Sequence, residues 1–472
     1  MKKIILCLSL FLAHSSISQV VLTPFVPENN YRGFGYAADA FGNEMVITAA
    51  DYVDISKKFV YVFEKNGSTI TQETYFAPSD ITPNDYFGSS ISLSIATDFI
   101  AASNILNDQV DTDAGAVYIY RKVSGNWIFF QKIIAFDGVA GDYFGSDVKI
   151  VNNKLFISAT NNEAEGQPIS TNSGAVYIYE FNGSTWAFSE KLTQTGSLSF
   201  GNKMKIEGNK LVVKSRSVSN SDIHLYTYNF NGTNWSFSSD LSVSDLLDFD
   251  LDNNQLFILK SGVYNPIPNY NQTLDIYNYS SGDWNLNSTL NSLNLFDKFG
   301  TNFRVKNNIM LISLNFHSLL YTAKTPTAFY QKINGTWTFM EYLYGNGPSN
   351  EDDSFGYQMA LTNDLMLVIA PSERMSPPSM GRAYVVDMAL GFNEASIPNI
   401  TISPNPTNDF VSINNNGEDF NQINIYQIDG KLIKSIQNDF DNVSLKEFQS
   451  GIYLIKITLS NGVSVSRKIV KI

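Results

Sequence analysis

Cysteine is almost missing: Cys7 is the only one in 472 residues, and it lies in an apolar run near the N-terminus. Beyond that run the chain has no thiol, which excludes disulfides, thiolate nucleophiles and cysteine metal sites. Histidine is nearly as scarce, with only His14, His224 and His317. Three imidazoles are too few for the usual zinc ligand sets or for His-based acid–base pairs. No G-x-S-x-G, P-loop or HExxH motif is present. Basic residues are outnumbered, 32 against 45, for a net charge of −13. That balance argues against nucleic acid or an anionic membrane as partner.

Long apolar runs are lacking too, so no transmembrane segment is expected in the mature chain. The one run, "IILCLSLFLA" at Ile4 to Ala13, is too short to span a bilayer. Lys2 and Lys3 precede it and the small residues Ser16 and Ser18 follow, which describes a secretory signal peptide over residues 1–18, cleaved after Ser18. Losing both lysines takes the net charge from −13 to −15. Residues 401–472 carry seven charges of each sign, so the acidic excess belongs to the segment before them.

What is abundant is aromatic residues (13%), with many Asn, Ser and Gly, the composition of a strand-rich extracellular protein with tight turns. The stretch "DYFGS" occurs at Asp85 to Ser89 and again at Asp142 to Ser146. Its Phe-Gly pair recurs as Phe34-Gly35, Phe87-Gly88, Phe144-Gly145, Phe200-Gly201, Phe299-Gly300 and Phe355-Gly356. In the double-length gap after Phe200, "DLLDFDLDNNQLFILK" from Asp245 aligns without gaps on "FGNKMKIEGNKLVVKS". Seven units then follow one another at spacings of 53, 57, 56, 45, 54 and 56 residues.

Every unit shares one grammar. Alternating apolar residues follow the anchor, as in Val148/Ile150, Met204/Ile206 and Phe303/Val305, and this period of two makes a strand with one buried face. A tight turn such as Asn152-Asn153 or Asn307-Asn308 leads to a second strand. After a variable loop comes a third strand, clearest as "AGAVYIY" (Ala114 to Tyr120) and "SGAVYIY" (Ser173 to Tyr179). A further turn opens a fourth strand at Trp127, Trp186, Trp235, Trp284 or Trp337. Four antiparallel strands repeated seven times predict an all-β fold, a seven-bladed β-propeller over residues 19–392. The seventh unit ends after its third strand, and the segment Gln19 to Pro27 is expected to supply its fourth, closing the ring.

Anchor, second strand and "GAVYIY" together resemble FG-GAP repeats, the units of the integrin α-subunit propeller, in the bacterial form that lacks calcium loops. In the integrin-like form an Asp-rich loop between first and second strands holds calcium. Here those connections are two- or three-residue turns with at most one carboxylate, so no cofactor is expected. Asp108, Asp111 and Asp113 in the second-to-third-strand loop of blade two are weak cation-site candidates, with Glu163 and Glu165 in the matching loop of blade three. A solvated, turn-forming role explains them better. His224 and His317 read as structural, the tryptophan stripe as packing between blades, and the "NGS" and "NGT" triplets as turn chemistry. The variable second-to-third-strand loops share one face and form the expected binding surface.

A polar linker at 393–400 precedes a second grammar over residues 401–472, where alternating segments and Gly turns predict a small Ig-like β-sandwich. It resembles the C-terminal sorting domain of the type IX secretion system of Bacteroidota. The matching residues are Pro404, Asn405 and Pro406 of "SPNPT", Asp429, Gly430 and Lys431 of "DGK", Gly451 and Tyr453 of "SGIYLIKI", and the terminal "RKIVKI". The resemblance implies passage across the outer membrane, then surface attachment or release, with the secretion machinery as partner. The expected function is that of a non-enzymatic secreted or cell-surface binding or adhesion module for an extracellular protein or glycan. A glycan-acting enzyme on the propeller and a structural surface or matrix component are the alternatives.

Overall fold

The computed structural model describes residues 22–28, 31–51, 57–82, 85, 87–88, 93–96, 98–163, 172–219, 222–261, 272–291, 297–316, 326–346, 354–363, 365–374, 380–387, 401–414, 420–427, 432–437, 440, 442–459 and 464–472. Ser18, the 393–400 linker, His317, Glu165 and the Asp429-Gly430-Lys431 turn lie outside them. The chain divides into two compact units.

Among the described residues the first unit contains seven antiparallel sheets. Blade three shows the plan: an inner strand Phe144–Val151, then Lys154–Ala159, Ala175–Phe181 and an outer strand Trp186–Thr193. The first hairpin closes through Asn152 and Asn153, both at positive φ (51° and 59°), as a two-residue primed turn requires. Asn253-Asn254 and Asn307-Asn308 repeat it. The degenerate fifth unit keeps the register of the fourth: Phe249 lies opposite Ile258 and Leu251 opposite Leu256, as Met204 lies opposite Val213 and Ile206 opposite Leu211. Blade one departs from the plan, with two short segments, Tyr31–Arg32 and Ala38–Phe41, both pairing the strand Glu44–Asp51. The ring closes through Thr23–Phe25, which pairs with Met380–Asp387 of blade seven.

Apolar clusters lie between blades rather than within them. One joins Val117 and Ile119 of blade two to Phe144, Leu155 and Tyr177 of blade three, and another joins Ile369 of blade seven to Phe34 and Met45 of blade one. All six anchor phenylalanines are buried. Each of four meets the third-strand tyrosine of its own blade edge-on or tilted: Phe87–Tyr118, Phe144–Tyr177, Phe200–Tyr226 and Phe355–Tyr384. Blade five has lost both partners together. Asp245 stands at the anchor and Asp275 at the tyrosine position, where Lys260 pairs with it at 2.6 Å. The tryptophans reach the preceding blade, Trp186 against Phe99 at 5.1 Å and Trp235 against Phe156 at 5.4 Å. In five outer strands one residue bulges out of register at the same place: Glu73, Phe130, Ser189, Ser238 and Asn287. Such bulges blunt an exposed edge against further pairing.

The anchor glycine explains the motif. Gly145 has φ +100°, and a Cβ there would lie 2.7 Å from the Ser103 Cβ of blade two. Gly115 of blade two meets the Phe144 backbone of blade three even more closely, with 2.2 Å from a Cβ to the carbonyl oxygen. Across this contact the Phe144 amide donates to the Ala114 carbonyl at 2.9 Å. Ala114 and Gly115 therefore lie outside the third strand, which begins at Ala116 rather than at Ala114 as the sequence suggested. Their backbone is engaged by the next blade instead. The junction of blades three and four repeats this through Gly174 and Gly201, and the closing junction through Gly381 and Gly35.

In the second unit, strands Thr401–Ser403, Phe410–Asn414 and Asn442–Ser444 form one sheet. Leu432–Ile436, Phe420–Gln427, Gly451–Leu459 and Ser464–Lys471 form another. Val411, Ile423, Ile455 and Ile469 share the core between them, as in an Ig-like sandwich.

Gly145→Ala should lower the stability of the propeller by about 3 kcal/mol, combining backbone strain and overpacking. Gly125→Ala is the comparator, because φ there is also positive (83°) but an added Cβ meets open space. It should cost about 1 kcal/mol. Urea unfolding midpoints decide, and equal losses contradict the junction account.

Candidate functional site

The positions alternating with the core residues of the inner strands face the axis of the ring. They enclose a cavity of about 480 Å³ lined by blades one and three to seven. On blades one and seven the wall has no cation, with Ala38, Asp39, Gln358, Met359 and Ala360. Blades three, four and six bring in Lys149, Lys203, Lys205, Lys214, Arg304 and Lys306. An acidic protein thus has a channel crowded with cations.

The channel carboxylates have a shared task. An innermost strand has amides with no neighbouring strand, and a buried unpaired N–H is costly. Asp39 accepts from the Ile95 amide of the next blade (3.1 Å), Asp147 from Met204 (2.7 Å), Asp248 from Phe303 (3.4 Å) and Asp250 from Val305 (3.0 Å). Three junctions, one–two, three–four and five–six, therefore use aspartates to bind the following inner strand, the last with two of them. The cations neutralise these groups: Lys149 lies 3.2 Å from Asp147, Lys205 2.7 Å from Asp250 and Arg304 3.3 Å from Asp248, which also pairs with Lys203. Burial alone would raise the pKa of Asp248, but Lys203, Arg304 and Lys205 around it hold its carboxyl below the ordinary range. Burial, helped by Arg304, pulls Lys205 down to about 8 against the pull of Asp250. Asp147 and Asp248 are almost fully buried, at 1% exposure, while the cation side chains are 13–39% exposed. The wall is acidic and the lumen is basic.

The structure treats the residues expected from sequence differently. Asp108, Asp111 and Asp113 sit in an exposed loop, where Asp108 accepts the Asp113 amide at 2.8 Å and Asp111 the Thr112 amide at 2.7 Å. They shape turns. Among the described residues no cluster of three or more His, Cys, Asp or Glu could hold a metal ion. His224 bonds to Asp240 at 2.7 Å and stacks on Tyr226 at 5.6 Å. In blades two and three the corresponding tyrosines bind a lysine–aspartate pair instead, Lys132–Asp80 on Tyr118 and Lys191–Asp137 on Tyr177.

In the second unit the "SPNPT" residues fasten the last strand. Pro404 and Pro406 both follow cis peptide bonds, and between them Asn405 accepts from the Val470 amide at 2.8 Å. The Thr407 amide donates to the Val470 carbonyl, and the Ile472 amide to the Thr407 carbonyl, each at 2.9 Å. The motif and the chain end are thus one hydrogen-bonded unit. Gly451 opens the longest strand of the sandwich, and the buried Tyr453 donates to the Gln449 carbonyl at 2.8 Å.

Residues 401–472 match the secretion system C-terminal sorting domain, and residues 70–120 and 127–179 match the FG-GAP repeat. The chain carries FG-GAP repeats and a type IX sorting domain. Each FG-GAP match runs from the outer strand of one blade into the third strand of the next, so the sequence repeat straddles the junction just described. The sorting domain marks the protein for export by the type IX secretion system, to the cell surface or into the medium. No curated protein matches the chain. Among solved structures, PorZ of Porphyromonas gingivalis, an essential surface component of the type IX secretion system, is 12% identical with a TM-score of 0.46. A puromycin hydrolase mutant is 9% identical with a TM-score of 0.50. The match covers 95% and 91% of this chain but 61% and 58% of those two. The chain thus spans about three fifths of their length, and the likeness is one of fold alone.

Asp248→Asn leaves Lys203 and Arg304 facing no charge and should cost about 3 kcal/mol at pH 7. The folded Asp248 holds its proton less tightly than the unfolded one. Its contribution is therefore full above about pH 4 and is lost as pH falls through the lower folded value. Denaturation curves of the two proteins should converge on acidification, and a gap independent of pH contradicts the assignment.

Proposed function

We propose that the protein is a non-catalytic binding module displayed outside the cell, a closed propeller whose variable features recognise an extracellular protein or glycan. The observation that carries this reading is the contrast between a recurring junction device and a non-uniform interior and loop set. The Phe-Gly clamp recurs at several junctions, whereas the channel cations come only from blades three, four and six. A rigid frame with locally varied surfaces suits recognition, and the sorting domain supplies the address.

A glycan-acting enzyme needs carboxylates that converge and are free to exchange protons or attack. The channel aspartates do converge, which scattered loop carboxylates could not. Yet Asp147, Asp248 and Asp250 are each held by a backbone amide and a cation. That occupation favours binding over turnover. As for a structural role, the bulges of the outer strands blunt those edges against strand-to-strand assembly.

The test is an array of extracellular glycans and matrix proteins probed with the purified full chain. Saturable retention without change in the bound material is expected. Cleavage of a retained glycan overturns the non-catalytic reading, and concentration-dependent self-association without any retained ligand favours the structural one.

A further inference from the structure

The junction of blades four and five breaks the pattern of the ring twice at one point. One second-strand position carries Thr48, Ser103, Ser158, Lys214, Leu259, Ser313 and Ile369 in blades one to seven. In blades one, three and six its hydroxyl accepts an inner-strand amide: Ala37 to Thr48 at 3.0 Å, Asp147 to Ser158 at 2.8 Å and Asn302 to Ser313 at 3.2 Å. The anchor glycine of the next blade then packs on the same residue, as Gly201 does on Ser158. Blade four abandons both contacts. Its residue is Lys214, and the following blade presents Asp245-Leu246 in place of Phe-Gly.

The Lys214 side chain lines the channel, and among the described residues no hydrogen bond or ion pair engages it. Its surroundings are already positive. Lys203 and Arg304 share the single carboxylate Asp248, one oxygen of which also accepts a backbone amide. Lys205 shares Asp250 with the Val305 amide. Burial, and then the nearby Lys203, lowers the proton affinity of Lys214, the response expected of an ammonium group crowded by like charge without full compensation. Structural pairing accounts for Lys203, Lys205 and Arg304. It does not account for Lys214, which stands where a neutral residue serves the fold in every other blade. A lone unpaired cation in a shared cavity lowers its free energy by meeting an anion.

We propose that the axial channel is a binding site for a small ligand bearing a tetrahedral oxyanion, a phosphoryl or sulfuryl group, with Lys214 as the residue that commits the channel to it. Tetrahedral oxyanions have several acceptor oxygens for converging ammonium groups and for the fork of an arginine. Arg304 spends Nη1 on Asp248 and on the Phe303 carbonyl, and its other nitrogens remain to serve a ligand. The cavity volume of about 480 Å³ falls among small-molecule sites. The site stands whether or not the loops also hold a macromolecule.

Calorimetry on the full chain at pH 7 and low salt, with inorganic pyrophosphate and inorganic sulfate as probes and sodium chloride at matched ionic strength as blank, tests this. Saturable binding of one equivalent of a probe is expected, weakened at least tenfold by Lys214→Met and retained by Lys214→Arg. Lys446→Met, on the sorting domain, should leave it unchanged. Since Lys214 supports no contact of the fold, Lys214→Met should melt no lower than the parent, which separates lost binding from lost structure. Tighter pyrophosphate points to a phosphorylated ligand, tighter sulfate to a sulfated one. Heats no larger than the chloride blank, or binding that survives Lys214→Met, overturn the proposal.

Discussion

The amide of Phe144 reaching the carbonyl of Ala114, repeated where Phe200 reaches Ser173, is the contact on which the ring depends. With the amides of Gly141 and Tyr143 on the Thr112 and Asp113 carbonyls, and that of Ser199 on Asn172, it makes a main-chain connection between neighbouring blades. It requires two glycines, because the Phe144 backbone passes where a Gly115 Cβ would sit and the Ser103 side chain fills the place of a Gly145 Cβ. The motif is therefore a pair of complementary half-sites on successive blades. Gly381 and Gly35 bring the same device to the closing junction, where Thr23–Phe25 also adds the missing strand to blade seven.

That constraint explains where the sequence was legible. Anchor spacing, strand order, the ring closure and even the register of the degenerate fifth blade follow from period two and from turn residues. Both are local properties, and blade five kept them while losing its anchor. The start of the third strand was misplaced by two residues at Ala114, because "GA" looks like strand and is engaged by a partner one blade away. The charged lumen was missed for a related reason. In "NKMKIE", "DFDLD" and "NFRVK" the residues between the apolar ones look like a solvated face, as they would on an open sheet. Only closure of seven inner strands turns those faces toward one another. The alternation and the closure were both readable, and joining them would have placed Lys203, Asp248 and Arg304 in one cavity.

The channel shows how one device serves two ends. Aspartates of one blade bind the bare amides of the next, which fixes the inner strands, and the lysines and arginine that neutralise them project into the lumen. A chain of net charge −13 thereby encloses a basic interior. Outside the propeller, the sorting domain ties its signature to its own last strand through Asn405 and Thr407. The motif therefore depends on the chain end being in place.

Native-state hydrogen exchange at the Phe144 and Phe200 amides tests the central claim most directly. If the junction bond holds the ring together, both amides exchange only through global opening, with the same free energy as core amides such as that of Ile157. Exchange of Phe144 or Phe200 at the rate of the adjoining loops, with Ile157 still protected, would contradict it.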